Sequence, residues 1–155
     1  MGVAGSGKST VGAALAQRLA VPFADADDFH SEQAKAKMAA GHPLDDADRA
    51  PWLERLASWL HDEPLGCVLA CSGLRRWYRD ALRTGAPGLC FLHLVGDPSV
   101  MTGRVAGRQQ HYMPASLVHS QYETLEPLGP DEFGVAIDCT LTPEQIVEQF
   151  LREVR

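Results

Sequence analysis

Apolar positions along this chain alternate between a helical and an extended rhythm. From Lys8 to Ala20, Val11, Leu15 and Leu19 fall at i, i+4 and i+8, one stripe of a helix that Pro22 closes. The short run PFADAD reads as extended, and AKAKMAAG as a helix ended by Gly41. After the turn-rich acidic stretch HPLDDADR, Trp52, Leu53, Leu56, Trp59 and Leu60 return to helical spacing, with Pro51 suited to a first turn. CVLAC and LCFLHLV are short apolar runs of the kind buried on both faces of a sheet, and the helical pattern RRWYRDALR separates them. Helical patterns follow over 99–107 and ASLVHSQYETL, then a last strand GVAIDC and an amphipathic helix from Pro143 to Val154. Apolar strands separated by helices predict an α/β fold, a parallel sheet covered by helices on both faces.

Composition narrows the class. At 155 residues, 1–155 reads as a single domain, and 45% hydrophobic with 22% charged residues is ordinary for a globular core. The net charge of −6 gives no footprint for a nucleic-acid backbone, so no nucleic-acid partner is expected. No run approaches the roughly 20 apolar residues of a membrane span, and the first residues are Gly-rich and polar rather than leader-like; a cytoplasmic location without membrane contact is expected. Cys67, Cys71, Cys90 and Cys139 form no CxxC pair, lie in or beside apolar runs and read as buried thiols.

The strongest chemical signal is Gly2-Val3-Ala4-Gly5-Ser6-Gly7-Lys8-Ser9, a complete G-x-x-x-x-G-K-[ST] phosphate loop. Glycines let successive N–H groups turn inward onto phosphate oxygens, and the helix starting near Lys8 adds its positive end. Lys8 would reach the β- and γ-phosphates of ATP, and the Ser9 hydroxyl would serve Mg²⁺. The fold prediction thus sharpens to a P-loop NTPase.

Asp25 and Asp27 fall where the next strand delivers residues to the carboxyl edge of the sheet. At i and i+2 of an extended segment both would face the loop, one holding the magnesium shell and the other taking the proton of an attacking hydroxyl. Charge on the transferring phosphoryl needs cations, and Arg104 and Arg108, one turn apart before Gln109-Gln110-His111-Tyr112, suggest a lid over about 104–114. Arg49 and the pair Arg75-Arg76 are candidate grips for a substrate carboxylate; His30 could orient substrate or cap a helix, and Trp52 and Trp59 read as core.

Together these blocks resemble the gluconokinase family, small P-loop kinases of nucleoside-kinase-like form. The resemblance rests on MGVAGSGKST at 1–10, DADDFH at 25–30, KMAAGHPLDDADRAPWL at 37–53, CSGLRRWYRDALR at 71–83, GRQQHYMP at 107–114 and SQYETLEPL at 120–128. It implies ATP- and Mg²⁺-dependent phosphorylation of D-gluconate at its 6-hydroxyl by an enzyme that is often a homodimer. It also implies that residues 2–10, including Thr10, bind ATP, and that Asp27 is the base or hydroxyl binder, leaving Asp25 with Ser9 on the metal. His30, Arg49 and Arg75 then lie near the substrate, Arg108 in the lid, with Gln121 and Glu123 as weaker substrate candidates. Relatives usually carry Lys where Arg75 stands, Ala where Gly73 stands, and R-x-G-H-F where this chain reads R-Q-Q-H-Y, so the acceptor pocket is expected to differ in reach. The 37–53 block argues against a shikimate kinase. A degenerate, non-catalytic nucleotide binder is the competing class, because the family carries an apolar strand ahead of the phosphate loop and here the loop begins at residue 2. A natural start five to ten residues earlier, with that strand, is therefore expected.

Overall fold

The computed structural model describes residues 1–107 and 115–154. Four short strands, β1 (Phe23–Asp25), β2 (Val68–Ala70), β3 (Phe91–Val95) and β4 (Gly134–Asp138), alternate with helices α1 (Lys8–Leu19), α2 (Glu32–Ala39), α3 (Asp46–His61), α4 (Arg76–Gly85), α5 (Pro98–Ala106), α6 (Ala115–Thr124) and α7 (Pro143–Glu153). All pairing is parallel: Phe23 opposite Val68, and Phe91 opposite Gly134. The α/β class expected from the alternating rhythms is the one observed.

The expected parallel sheet is observed in two parts. Among the described residues the strands form two separate pairs, β1 with β2 and β3 with β4. Between β2 and β3 lies an apolar slot of about 500 Å³, walled by Val68, Leu69 and Ala70 on one side and Phe91, Leu92 and Leu94 on the other, with Val11 and Leu15 of α1 facing it. Residues 1 and 2 bridge the slot at one end. The Met1 amino group donates to the Leu92 carbonyl. Leu94 N–H donates to the Met1 carbonyl at 2.9 Å, and Gly2 N–H to the Ser72 carbonyl at 3.1 Å. The core divides accordingly. Val11, Leu15, Leu94, Met101, Ile137, Ile146 and Phe150 pack around the β3–β4 pair. Ala26, Trp52, Leu53, Leu56, Tyr78 and Leu82 pack around the β1–β2 pair.

Three local expectations also change. Helix α3 starts at Asp46, not Pro51, because Asp45 and Asp48 form a reciprocal capping box: each carboxylate accepts the other's backbone N–H at 2.9 Å. Pro51 consequently sits in the second turn, where its ring nitrogen cannot donate to the turn before. Asp27 is not on an extended segment: β1 stops at Asp25, whose side chain caps a 3₁₀ turn over Ala26–Phe29. Of the thiols, Cys71 and Cys139 are buried, but Cys67 and Cys90 are only half-buried. No described helix is long and apolar enough to cross a membrane.

Candidate active site

The phosphate loop occupies the corner between the slot and α1. Gly7 caps α1 in the left-handed region at φ 91°, and Gly5, at φ 82°, lies so close to α5 that an added Cβ would stand 2.8 Å from the Met101 carbonyl. Both positions therefore demand glycine for backbone reasons. Within the loop, Val3 and Ser6 are buried. The Lys8 ammonium folds back to donate to the Val3 carbonyl at 3.0 Å, inside the curl of the loop.

Next to it, Ser9 Oγ donates to Asp25 Oδ2 at 2.6 Å, and Asp25 Oδ1 accepts the Asp27 N–H at 3.2 Å. A hydroxyl and a carboxylate in contact beside a phosphate cradle are the oxygen donors a hard divalent cation prefers. Ser9 and Asp25 meet through a direct side-chain bond, and Asp25 meets Asp27 through an N-cap rather than strand alternation. Asp27 follows in the turn. Burial, and then the neighbouring Asp25 carboxylate, hold its carboxyl above the ordinary carboxylate range, with His30 and Lys8 pulling the other way. Burial pushes the His30 imidazole down, opposed by Asp27.

The turn carrying Asp27 is pinned from α3. Trp52 Nε1 donates to the Ala26 carbonyl at 2.7 Å, and Arg55 Nε to the Phe29 carbonyl at 2.9 Å. His30 stacks on Trp52 with ring centres 4.7 Å apart and planes 10° from parallel. Its Nδ1 is buried without a partner among the described residues. Trp52 is a core residue, as expected, and a stacking platform as well.

One turn before Trp52, Arg49 reaches 3.9 Å from Asp46 and lies over the Tyr78 ring at 5.6 Å. Arg75, at the start of α4, donates to the same Asp46 at 3.3 Å, and the Tyr78 hydroxyl donates to it at 3.2 Å. The two arginines expected to grip an anion are thus brought together by an acidic residue that sequence reasoning did not single out. Arg76 is corrected as a grip: Asp80 and Asp131 take its guanidinium at 2.9 and 2.6 Å, a structural tie.

Gln121 is placed elsewhere than expected. Its Oε1 accepts the Ala4 N–H of the phosphate loop at 2.6 Å, linking α6 to the loop, and no spacing in the sequence signals that pairing. Glu123 lies on exposed helix surface beside His119 at 3.4 Å. Arg104 donates to the Cys139 carbonyl at 3.0 Å, which ties α5 to the end of β4. Arg108, with residues 108–114 of the lid expected over about 104–114, lies outside the described residues.

Known proteins resemble this chain along nearly its whole length. The family model described as shikimate kinase matches residues 4–154. The gluconokinase of Gluconobacter oxydans is 40% identical over 98% of this chain and 87% of its own length. The thermosensitive gluconokinase of Escherichia coli is 42% identical over 96% of the chain and 82% of its own length. Among solved structures, a sugar kinase from Janibacter sp. superimposes with a TM-score of 0.90 at 46% identity, covering 98% of this chain and 90% of that one. A gluconokinase from Sinorhizobium meliloti does so with a TM-score of 0.88 at 43% identity, covering 99% and 88%. With a complete phosphate loop on a kinase-like α/β frame and relatives of this similarity along nearly its whole length, the chain belongs to the gluconokinase family of P-loop kinases.

Proposed function

We propose that this chain transfers the γ-phosphoryl group of ATP to the 6-hydroxyl of D-gluconate, giving 6-phospho-D-gluconate. The observation that carries the reading is a series of polar and charged groups brought to one side of the fold. It runs from Lys8 in the phosphate loop through Asp27 and His30, on the turn held by Trp52, to Arg49, one turn before Trp52, and Arg75, the two arginines meeting at Asp46. An acceptor laid along that series needs a hydroxyl at the phosphate end and an anionic group at the arginine end. An extended sugar acid has both.

In this reading the loop's N–H groups and Lys8 hold the triphosphate and counter the charge that spreads over the migrating phosphoryl. Asp27 accepts the hydroxyl proton as the oxygen attacks; its raised affinity for a proton suits a base. His30, held by the Trp52 ring beside Asp27, orients a substrate hydroxyl. Arg49 and Arg75 take the carboxylate in charge-assisted hydrogen bonds. Ser9 and Asp25 would hold Mg²⁺, which when bound neutralises phosphate charge and orients the triphosphate. ATP supply makes the cytoplasm the expected setting.

ADP release, followed with a panel of acceptors, tests the proposal. Gluconate should support turnover while shikimate, nucleoside monophosphates and ATP alone stay near background. Equal turnover with shikimate or a nucleoside monophosphate would overturn it.

A further inference from the structure

Directly beneath the acceptor end of the site is a fully buried arginine that the proposed chemistry does not use. Arg79 and the side chain of Glu132 are both 0% exposed. They meet in a bidentate pair, Nε to Oε1 at 2.6 Å and Nη2 to Oε2 at 2.8 Å. The remaining hydrogen-bonding capacity of the guanidinium goes to two loops. Nη1 donates to the Gly73 carbonyl at 2.9 Å, to Leu74 at 3.4 Å and to Glu126 at 3.0 Å, and Nη2 donates to Pro127 at 3.2 Å. The loops are also joined directly, Glu126 N–H donating to the Leu74 carbonyl at 2.7 Å.

Burying an ion pair is seldom the cheapest way to stabilise a core, since the desolvation of both charges offsets much of their attraction. What a planar guanidinium gives that an apolar residue cannot is simultaneous fixed-angle hydrogen bonding to several backbone carbonyls. Here two of those carbonyls belong to Gly73 and Leu74, the residues immediately before Arg75. Gly73 is at φ +54°, a conformation that fixes the direction in which the chain leaves β2 for α4. With the carbonyls of 73 and 74 both held, the starting point of the Arg75 side chain is set from below, while Asp46 and Tyr78 set its surroundings from above.

We propose that Arg79 is a positioning residue for the acceptor: it acts on the acid's carboxylate through Arg75 and leaves the nucleotide end of the site untouched. This rests on the assignment of Arg75 to the substrate carboxylate. It also assigns Glu132 a role, as the counter-charge that keeps the guanidinium in plane with its carbonyls.

The test is a double-substitution cycle on the whole chain, with Arg79→Lys, Arg75→Ala and the pair compared in steady-state assays varying gluconate and ATP separately. Arg79→Lys keeps the charge and loses the fork. In the parent it should raise the KM for gluconate about tenfold with the KM for ATP within about twofold, and in the Arg75→Ala background it should cost less than about twofold. Glu132→Gln, which preserves shape, serves as the second variant if Arg79→Lys does not fold, and the same pattern is expected of it. Equal effects on both KM values, or effects that multiply with those of Arg75→Ala, would overturn the positioning role while leaving the gluconate assignment standing. An Arg75→Ala variant with an unchanged KM for gluconate would overturn the placing of Arg75 on the carboxylate and, with it, the positioning role.

Discussion

Replacing Trp52 by Phe separates the two jobs this residue performs. Its ring is 5% exposed in the core shared by α3, α4 and the β1–β2 pair, so a second aromatic ring retains most of the packing. What disappears is the 2.7 Å bond to the Ala26 carbonyl and the outer part of the surface on which His30 stacks. Withdrawing a donor from a buried carbonyl costs about 1–3 kcal/mol. The lost ring atoms add about 1 kcal/mol more. A total of about 2–4 kcal/mol is a large share of the roughly 5–15 kcal/mol that holds an ordinary domain, yet leaves it folded. Urea unfolding with linear extrapolation reads the stability change. The functional consequence should be selective, because the indole pins the turn bearing Asp27 and His30 but has no bond to the phosphate loop. The KM for gluconate should rise and kcat fall while the KM for ATP barely moves. A stability loss under about 0.5 kcal/mol, or an ATP KM that rises as much as the gluconate KM, would refute this account of how the turn is held.

Lys8→Ala should lower turnover by at least about a hundredfold without shifting the melting temperature, because it removes the fixed charge beside the migrating phosphoryl; turnover near the parent's would show Lys8 to be misplaced. Asp27→Asn should cut kcat by about 10²–10⁴ with little change in ATP affinity, whereas Asp25→Asn should chiefly raise the Mg²⁺ concentration required; the reverse pattern on Mg²⁺ titration would exchange their roles. Burial, together with the Met1 amine and Arg79, pushes His93 from 6.5 down to about 4, so the unfolded chain takes up the proton first. Stability present above pH 6.5 should be lost as pH falls toward 4, by about 3 kcal/mol, and the nonionising His93→Leu should flatten that slope in pH-dependent denaturation curves.

What could be read in advance was chemistry whose parts are neighbours in sequence. The phosphate loop needs left-handed glycines at fixed offsets and a lysine and serine opening a helix, all within residues 2–9. The strand that ends in Asp25 was legible because strand ends of parallel sheets deliver ligand-binding groups, although the 3₁₀ turn that follows defeated the alternation argument for Asp27. The start of α3 was missed because Pro51 is a strong local signal and the Asp45–Asp48 box a weaker one, yet the box satisfies backbone groups that proline cannot. Contacts between distant residues left no local trace: Asp46 with Arg75, Ala4 with Gln121, Trp52 with Ala26. Arg79 did leave one, an arginine three positions before Leu82 on the buried stripe of α4, where a charge needs a partner from elsewhere in the fold.

The slot between β2 and β3 concerns the same phosphate loop from behind. Residues 1 and 2 hydrogen-bond to β3 on one side and to Ser72, just past β2, on the other, so the gap at that end is one strand wide. Further along, apolar side chains of both strands and of α1 line the slot, and β2 and β3 do not pair across it. A variant carrying five additional apolar, β-forming residues ahead of Met1 should run parallel between the two pairs and join them into one sheet. Each buried side chain contributes about 1.5–3 kcal/mol, against about 1–2 kcal/mol per residue for ordering the backbone, which leaves a net gain of a few kcal/mol. The loop, then held by a strand as well as by α1, should also bind ATP more tightly. Thermal melts and ATP titrations of this variant, of the 155-residue chain and of a variant with a Gly-Ser extension of equal length decide the matter. If the apolar and Gly-Ser extensions behave alike, the slot does not accept a strand, and the loop is supported by contacts such as those of Met1 and Gly2 with β3 and Ser72, of Gln121 with Ala4 and of Lys8 with the Val3 carbonyl.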